Sequence, residues 1–532
     1  MIVSRFLLKE KTLLEKASVN FLLKYLCMLK NKEKIYKPKE ACMENVNAKG
    51  FGISNWHDTK EIYDKLGQLV HQPMRPVKRD AMSAYVKHFN EKCLGSKKII
   101  EKAKSYIPGG VQHNLAFNYP FPIVIKKADG PYLWDVDGNR YIDFLQAGGP
   151  IILGHNYAPV KDRVTEVINE CGPTEGLFNE YELKLAEIIN KHMPSVEMFR
   201  MLGSGTEADM AAIRIARLAT GRLKVIKIGG SYHGWSDQMV YGIHIPGTGR
   251  YEAYGIPKGC TQNTQEVPPN DIEKLEAVMR MNRLRGGTAA VLLEPLGGES
   301  GTRPVYKEYN KQVEELCKKY GVLLIFDEVV TAFRVGLGGA QSYFNVKPDL
   351  TVFGKIIAGG YPGAGGVGGR KDLMSLLAAG VQSGKKRAYV GGTLSASPLS
   401  SAAGYFAICE IEKTNACEVT GRAGDRLTNG LKQLIEKYHL PFVAYNQGSI
   451  CHLETAGAMF IKIDIMHLRK CLEEINKRKF MMEEFGAAYM AEGLITLAGN
   501  RMYMSLADTD EIIDDALNRF ERVFKNIEGV IA

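Results

Sequence analysis

The sequence predicts an α/β protein. A large, doubly wound, mostly parallel sheet is joined by a smaller α+β domain drawn from both ends of the core. Three observations carry that expectation. From about residue 166 to 404, helical patterns alternate with short apolar runs such as Ala289-Ala290-Val291-Leu292-Leu293, the pattern of strand–helix units stacked around one sheet. A second run, Gly321-Val322-Leu323-Leu324-Ile325-Phe326, is continuously apolar and ends in Asp327-Glu328, as a strand buried on both faces does. Upstream, Gly130 to Asp143 alternates apolar and polar residues about Asp137-Gly138, which reads as a hairpin.

The bulk numbers bound what such a chain can do. At 532 residues it is too long for one ordinary domain. With 45% hydrophobic and 24% charged residues it reads as soluble and globular. The net charge of +10 comes without a long basic run or a basic stripe interleaved with aromatics, so no nucleic-acid partner is expected. The surplus suits anionic small substrates and a phosphate-bearing cofactor. Ten cysteines are scattered without a CxxC pair, and no histidine cluster has metal spacing; they read as thiols of a reducing compartment, and no metal is expected. The start is too broken by charge for a secretory signal, and no stretch is apolar for the length of a membrane span. A cytoplasmic protein with no membrane partner is expected.

Along the chain, residues 1–95 read as a helical N-terminal extension. Its first forty residues are lysine-rich with leucines and phenylalanines between, suggesting one or two amphipathic helices. A packing or oligomer-contact role and a membrane-surface role are both open for them. The core is expected to begin near Ser96, with 96–165 as the N-terminal part of the small domain. Residues 166–404 form the large domain, and 405–532 the C-terminal part of the small one, closing in a helix from Asp510 to Ile527.

Candidate chemistry gathers at the ends of the predicted strands. Lys355 lies in Val352-Phe353-Gly354-Lys355-Ile356-Ile357-Ala358-Gly359-Gly360, flanked by apolar residues and glycines. Burial lowers a lysine's pKa, and such a lysine can form a Schiff base with an aldehyde cofactor. Asp327, at the C-terminal end of its strand, stands where open α/β sheets place ligands. It could cap a helix, bind a metal, or hold a protonated pyridine nitrogen. With Lys355 following a glycine-rich segment, pyridoxal 5'-phosphate is the cofactor these two residues suit.

Four further segments follow the same logic. Gly203-Ser204-Gly205-Thr206-Glu207 opens a helical pattern. It is either an ordinary N-cap or a phosphate site in which backbone amides and the Ser204 and Thr206 hydroxyls donate. Tyr232, after the strand Lys224–Ile228, is suited to stack on a flat ring, while the adjacent His233 reads as structural. Glu294 reads as an anchor, and Glu299 lies in a loop that should reach the site. Thr393, in Gly391-Gly392-Thr393-Leu394-Ser395, could donate to a phosphate or sit in a plain loop.

Together these segments resemble the class III pyridoxal-phosphate-dependent aminotransferases, closest to their glutamate-1-semialdehyde 2,1-aminomutase subgroup. The match runs from about Ser96 to the C-terminus through Ile107-Pro108-Gly109-Gly110-Val111, the Trp134–Asp143 hairpin, Ser204–Ala208, Tyr232-His233-Gly234, Asp327-Glu328-Val329, Gly338-Gly339-Ala340-Gln341, Gly354-Lys355-Ile356 and Gly392-Thr393-Leu394. The resemblance implies fold type I of the pyridoxal-phosphate-dependent transferases and amino-group transfer through a Lys355 Schiff base. Asp327 would pair with the pyridine nitrogen, with Tyr232 on one ring face and Val329 on the other. Ser204, Gly205 and Thr206 would hold the phosphate, which Thr393 would reach from the neighbouring subunit of a homodimer. Substrates would be small amino acids and keto acids.

The sequence also departs from the aminomutase pattern. No arginine stands in the segment Gln112–Asn118 after Val111, Gly148 stands where that subgroup has an aromatic, and Asn500 stands where it has a glutamate. Glu299 and Arg501 instead resemble the gating glutamate and carboxylate-binding arginine of ornithine and 4-aminobutyrate aminotransferases. Those departures favour a transaminase; intramolecular transfer by an aminomutase, a racemase and a non-catalytic binding protein are the other readings.

Overall fold

The structure, a computed structural model, describes residues 50–250, 253–378 and 386–530. The helices expected over the first forty residues lie outside that range. Seven strands build the large sheet: β1 (Met198–Leu202), β2 (Lys224–Ile228), β3 (Thr264–Val267), β4 (Thr288–Leu293), β5 (Leu323–Asp327), β6 (Leu350–Gly354) and β7 (Gly365–Gly369). Their order is β1-β7-β6-β5-β4-β2-β3. Neighbours from β6 to β3 run parallel, and β7 runs antiparallel to both of its neighbours. The predicted doubly wound sheet is therefore present, with one reversed strand near its edge. β4 is buried at all six positions, and β5 at every position after Leu323, which is why both read as unbroken apolar runs rather than alternating ones.

The helix α1 (Gly205–Thr220) packs its Ala208, Ala211, Ala212, Ile215 and Ala216 face onto this sheet. Ser204 caps it, its hydroxyl accepting from the Glu207 amide at 3.3 Å. Small residues on that face let the helix lie close to the strands, which brings its N-terminus to their C-terminal ends.

The hairpin forms as expected: Tyr132–Asp135 pairs antiparallel with Arg140–Asp143. Ile125–Asp129 extends it on one side and Leu494–Ile495 on the other. A three-stranded sheet of Val443–Gln447, Ile450–Glu454 and Arg501–Tyr503 stands separately. The last helix runs Asp510–Lys525.

One apolar cluster joins Leu66, Leu69, Met82 and Phe89 to Phe144, Leu427, Phe485, Met502 and Phe524. Residues from the N-terminal third thus share a core with the end of the chain, and the helix Leu94–Ala103 crosses the 95/96 junction without a break. The eight described cysteines are all free. Among the described residues no helix is long and apolar enough to cross a membrane.

Candidate active site

Five segments leave the C-terminal ends of strands in the large sheet and converge. Ser204–Thr206 follow β1, Tyr232 and His233 follow β2, Glu294 and Glu299 follow β4, Asp327 ends β5, and Lys355 follows β6. This is the edge where open parallel sheets bind ligands. Val352 of β6 pairs with Asp327, so the chain delivers Lys355 three residues beyond the aspartate's neighbour. Lys355 holds φ +52°, a left-handed conformation that a β-carbon makes costly and that often marks a functional site. The lysine is half-buried. A β-carbon on Gly148 would stand 3.7 Å from its Nζ, and one on Gly149 would stand 3.6 Å from its Cδ. Two glycines therefore keep the space around the amine open.

Asp327 is held from two sides. Its Oδ1 accepts from the Val329 amide at 3.0 Å, and its Oδ2 lies 2.7 Å from His233 Nδ1. Both side chains are buried. Val329 in turn fills the space that Gly205 and Gly354 leave: a β-carbon on either would come within 3.0 Å of its methyl groups. The start of α1, the end of β6 and the turn after Asp327 are thus locked together by one small side chain.

Tyr232 is about half exposed, its ring near-parallel to that of His244 at 6.2 Å. Its backbone amide donates to Glu294 Oε1 at 2.9 Å, and the Glu299 amide donates to the same oxygen at 2.7 Å. The Ser300 amide and hydroxyl reach Glu294 Oε2. Glu294 is thus the anchor its position suggested, tying the loop after β2 to the loop after β4. Burial, with Asp327 nearby, pushes its carboxyl up to about 8, against the three amide donors that favour the charged form.

Glu299 and Arg501 meet. Arg501 Nη2 donates to Glu299 Oε2 at 2.7 Å, and His244 Nδ1 contacts Glu299 Oε1. Burial would raise the Glu299 carboxyl, but His244 and Arg501 outweigh it and hold the group below the usual carboxylate range. Arg501 Nε is buried without a partner, leaving the guanidinium a free donor. Glu299 and Ser300 both hold left-handed φ, 49° and 50°, so the carboxylate sits on a strained turn clamped by Glu294.

Thr393 is exposed in the loop before the helix Pro398–Thr414. Three contributors went unassigned in the sequence. His244 sits in an irregular loop that gives no periodic signal. Arg334 is fully buried and donates to Gly149 O at 3.0 Å, Met504 O at 2.9 Å and Ser449 Oγ at 3.0 Å, thereby fixing Gly149 beside Lys355. Asp209 did leave a signal, a carboxylate within the apolar stripe of α1.

Strand order, the single reversed strand, and a lysine and an aspartate at the ends of adjacent strands define an α/β fold with a ligand site at its C-terminal strand edge. Residues 115–524 match the aminotransferase class-III family model, and the chain belongs to that family. It is 41% identical over 349 residues to the glutamate-1-semialdehyde 2,1-aminomutase of Methanothrix thermoacetophila, covering 65% of this chain and 79% of that one. It is 35% identical over 440 residues to glutamate-1-semialdehyde 2,1-aminomutase 2 of Brevibacillus brevis, covering 81% and 98%. The crystal structure of an omega-transaminase from Sphaerobacter thermophilus superposes with a TM-score of 0.72 at 27% identity, covering 82% of this chain and 99% of that one.

Proposed function

We propose that this enzyme is a pyridoxal-phosphate-dependent transaminase that moves an amino group between an amino acid and a keto acid or aldehyde. The observation that carries the reading is the buried Glu299–Arg501 pair at 2.7 Å, because a transaminase must accept chemically different partners in its two half-reactions. With Glu299 in place the positive charge is covered and an uncharged chain fits. With Glu299 turned away, Arg501 offers a fork of donors to a carboxylate.

The residues fit the cofactor. The glycines at 148 and 149 leave room beside Lys355, and Gly205 lets Val329 pack against the start of α1, whose first amides can serve an anion. Bound there, pyridoxal phosphate supplies an aldehyde for the amine and a ring that withdraws electrons once its nitrogen is protonated. Asp327 would hold that nitrogen's proton, and Tyr232 and Val329 would flank the ring. Ser204, Gly205 and Thr206 would bind the phosphate. Lys355 Nζ would receive the aldehyde and, as a free amine, would give and take a proton beside it. Thr393 serves the partner subunit's phosphate in a homodimer. The unpaired cysteines accord with a cytoplasmic setting.

A second reading, intramolecular transfer by an aminomutase, is favoured by the 41% and 35% identities to aminomutases. One experiment separates the two: visible absorbance of the purified protein, with and without single amino acids such as glutamate, alanine, β-alanine, lysine and ornithine. A transaminase loses its cofactor band with one equivalent of keto product and regains it with a keto acid. Turnover of glutamate-1-semialdehyde without any co-substrate, and no response to amino acids, would overturn it in favour of the aminomutase.

A further inference from the structure

Beside Asp327, two buried polar atoms on neighbouring side chains have no hydrogen-bond partner, in each other or elsewhere. They are Asp209 Oδ1 and His233 Nε2. Asp209 is 1% exposed and His233 fully buried. Asp209, His233 and Asp327 each place a nitrogen or carboxylate oxygen within 4.8 Å of the others'. His233 already spends Nδ1 on Asp327 Oδ2 at 2.7 Å. An imidazole offers one donor and one acceptor when neutral, and leaving either unpaired in the interior costs about as much as a lost hydrogen bond.

We propose that Asp209 is a positioning residue for the cofactor: its carboxyl O–H donates to His233 Nε2 and fixes the ring as the Nδ1–H tautomer, which holds Asp327. The chain then reads Asp209 O–H to Nε2, and Nδ1–H to the Asp327 carboxylate. That bond would give each of the two orphaned atoms its one partner, and would leave the one negative charge on the group that would meet the pyridine nitrogen. The charged and titratable groups around Asp209 agree with this. Burial, with Asp327 and Glu294 facing it, drives the Asp209 carboxyl well above the usual range against the opposing pull of Lys227. Burial likewise lowers His233, against Asp327. Lys227 is itself engaged by Ser231 O at 2.9 Å and Met239 O at 3.3 Å.

The inference rests on the reading of Asp327 as the ring-nitrogen partner, and its test separates the two. Pyridoxal phosphate affinity is measured by equilibrium dialysis for the wild type and four variants: Asp209→Ala, Asp209→Asn, His233→Ala and the double Asp209→Ala/His233→Ala. The Asp209→Asn side chain keeps an N–H donor, whereas that of Asp209→Ala has none. The expected result is an affinity about tenfold weaker for Asp209→Ala, the size of one lost buried hydrogen bond. Asp209→Asn should stay within about threefold of wild type, and Asp209→Ala should add nothing in the His233→Ala background. An unchanged Asp209→Ala, an Asp209→Asn as weak as Asp209→Ala, or a loss that persists without His233 would overturn the proposal. So would one equivalent of divalent metal in the purified protein that both Asp209 variants lose. Asp327→Asn is measured alongside. If it leaves affinity unchanged, the Asp327 reading fails and the proposal with it; if it weakens binding while Asp209→Ala does not, the proposal alone fails.

Discussion

Glu299 and Arg501 lie 202 positions apart in the chain, and their side chains meet at 2.7 Å with only about a tenth of each exposed. A pair this buried is weak evidence for stability, since desolvation offsets much of its attraction. In the proposed function its value lies in being breakable by a substrate carboxylate. Removing Arg501 would leave a buried substrate carboxylate without its charged partner, an effect of about 2–5 kcal/mol at comparable buried pairs. Arg501→Ala should therefore raise KM for the amino-acid substrate by about 30-fold or more. Glu299→Gln should do the reverse for that half-reaction and slow the half-reaction of the uncharged partner. Half-reaction kinetics monitored by cofactor absorbance check both. Equal effects of Glu299→Gln on the two half-reactions would rule out gating.

Lys355 carries the covalent step in the proposed function. Treating the holoenzyme with borohydride should fix the cofactor to Lys355, visible as a mass increase on the peptide that contains it. Lys355→Ala should bind the cofactor without that covalent mark. Its turnover should fall by at least about 10²-fold, the usual contribution of a positioned acid–base group. A cofactor mark on another lysine would remove Lys355 from the role.

How much of this was legible in the sequence follows from where each signal lives. The positions of Asp327 and Lys355 were legible because one ends a buried strand and the other directly follows one, and a charge that stops an apolar run is a local pattern. The Ser204 cap and the Asp137-Gly138 hairpin were legible for the same reason. The partnership of Glu299 with Arg501 has no local signature; only the family resemblance suggested it. His244 was invisible because its position depends on Arg303 holding its carbonyl and on the loop after β2 folding back. The shared core of Leu66, Phe89 and Phe485 was missed because each helix looks amphipathic alone, and amphipathicity does not say which partner covers the apolar face.

Gly148 holds φ +81°, and a β-carbon there would stand 3.4 Å from Leu115 Cδ1 and 3.7 Å from Lys355 Nζ. Those distances are ordinary contacts, so the obstacle is the backbone. An L-residue in that region costs roughly 1–3 kcal/mol. Gly148→Ala should lower the denaturant midpoint accordingly and reduce kcat/KM more for long or branched amino donors than for short ones. Equal loss across donors would mean that Gly148 does not shape the pocket.

Stability should fall as pH rises from about 4 to 7. Asp508 is buried; burial, with Asp143 nearby, raises its carboxyl to about 7, against the Ser505 amide and hydroxyl that donate to it at 2.7 and 3.0 Å. Glu454 is raised to about 7, chiefly by burial, against Arg501 and Arg303. A carboxyl raised in the folded state binds its proton there while the unfolded chain has already released it. Its contribution is complete below the unfolded value, about 4, and is lost as pH climbs to the folded value. Each pKa unit corresponds to about 1.4 kcal/mol, so one such group can tilt the profile measurably. Asp508→Asn keeps the acceptor for the Ser505 amide but cannot titrate. It should flatten the decline in Tm across that range, and Glu454→Gln should flatten it further. A slope unchanged in the double variant would show that neither carboxyl is protonated in the folded protein.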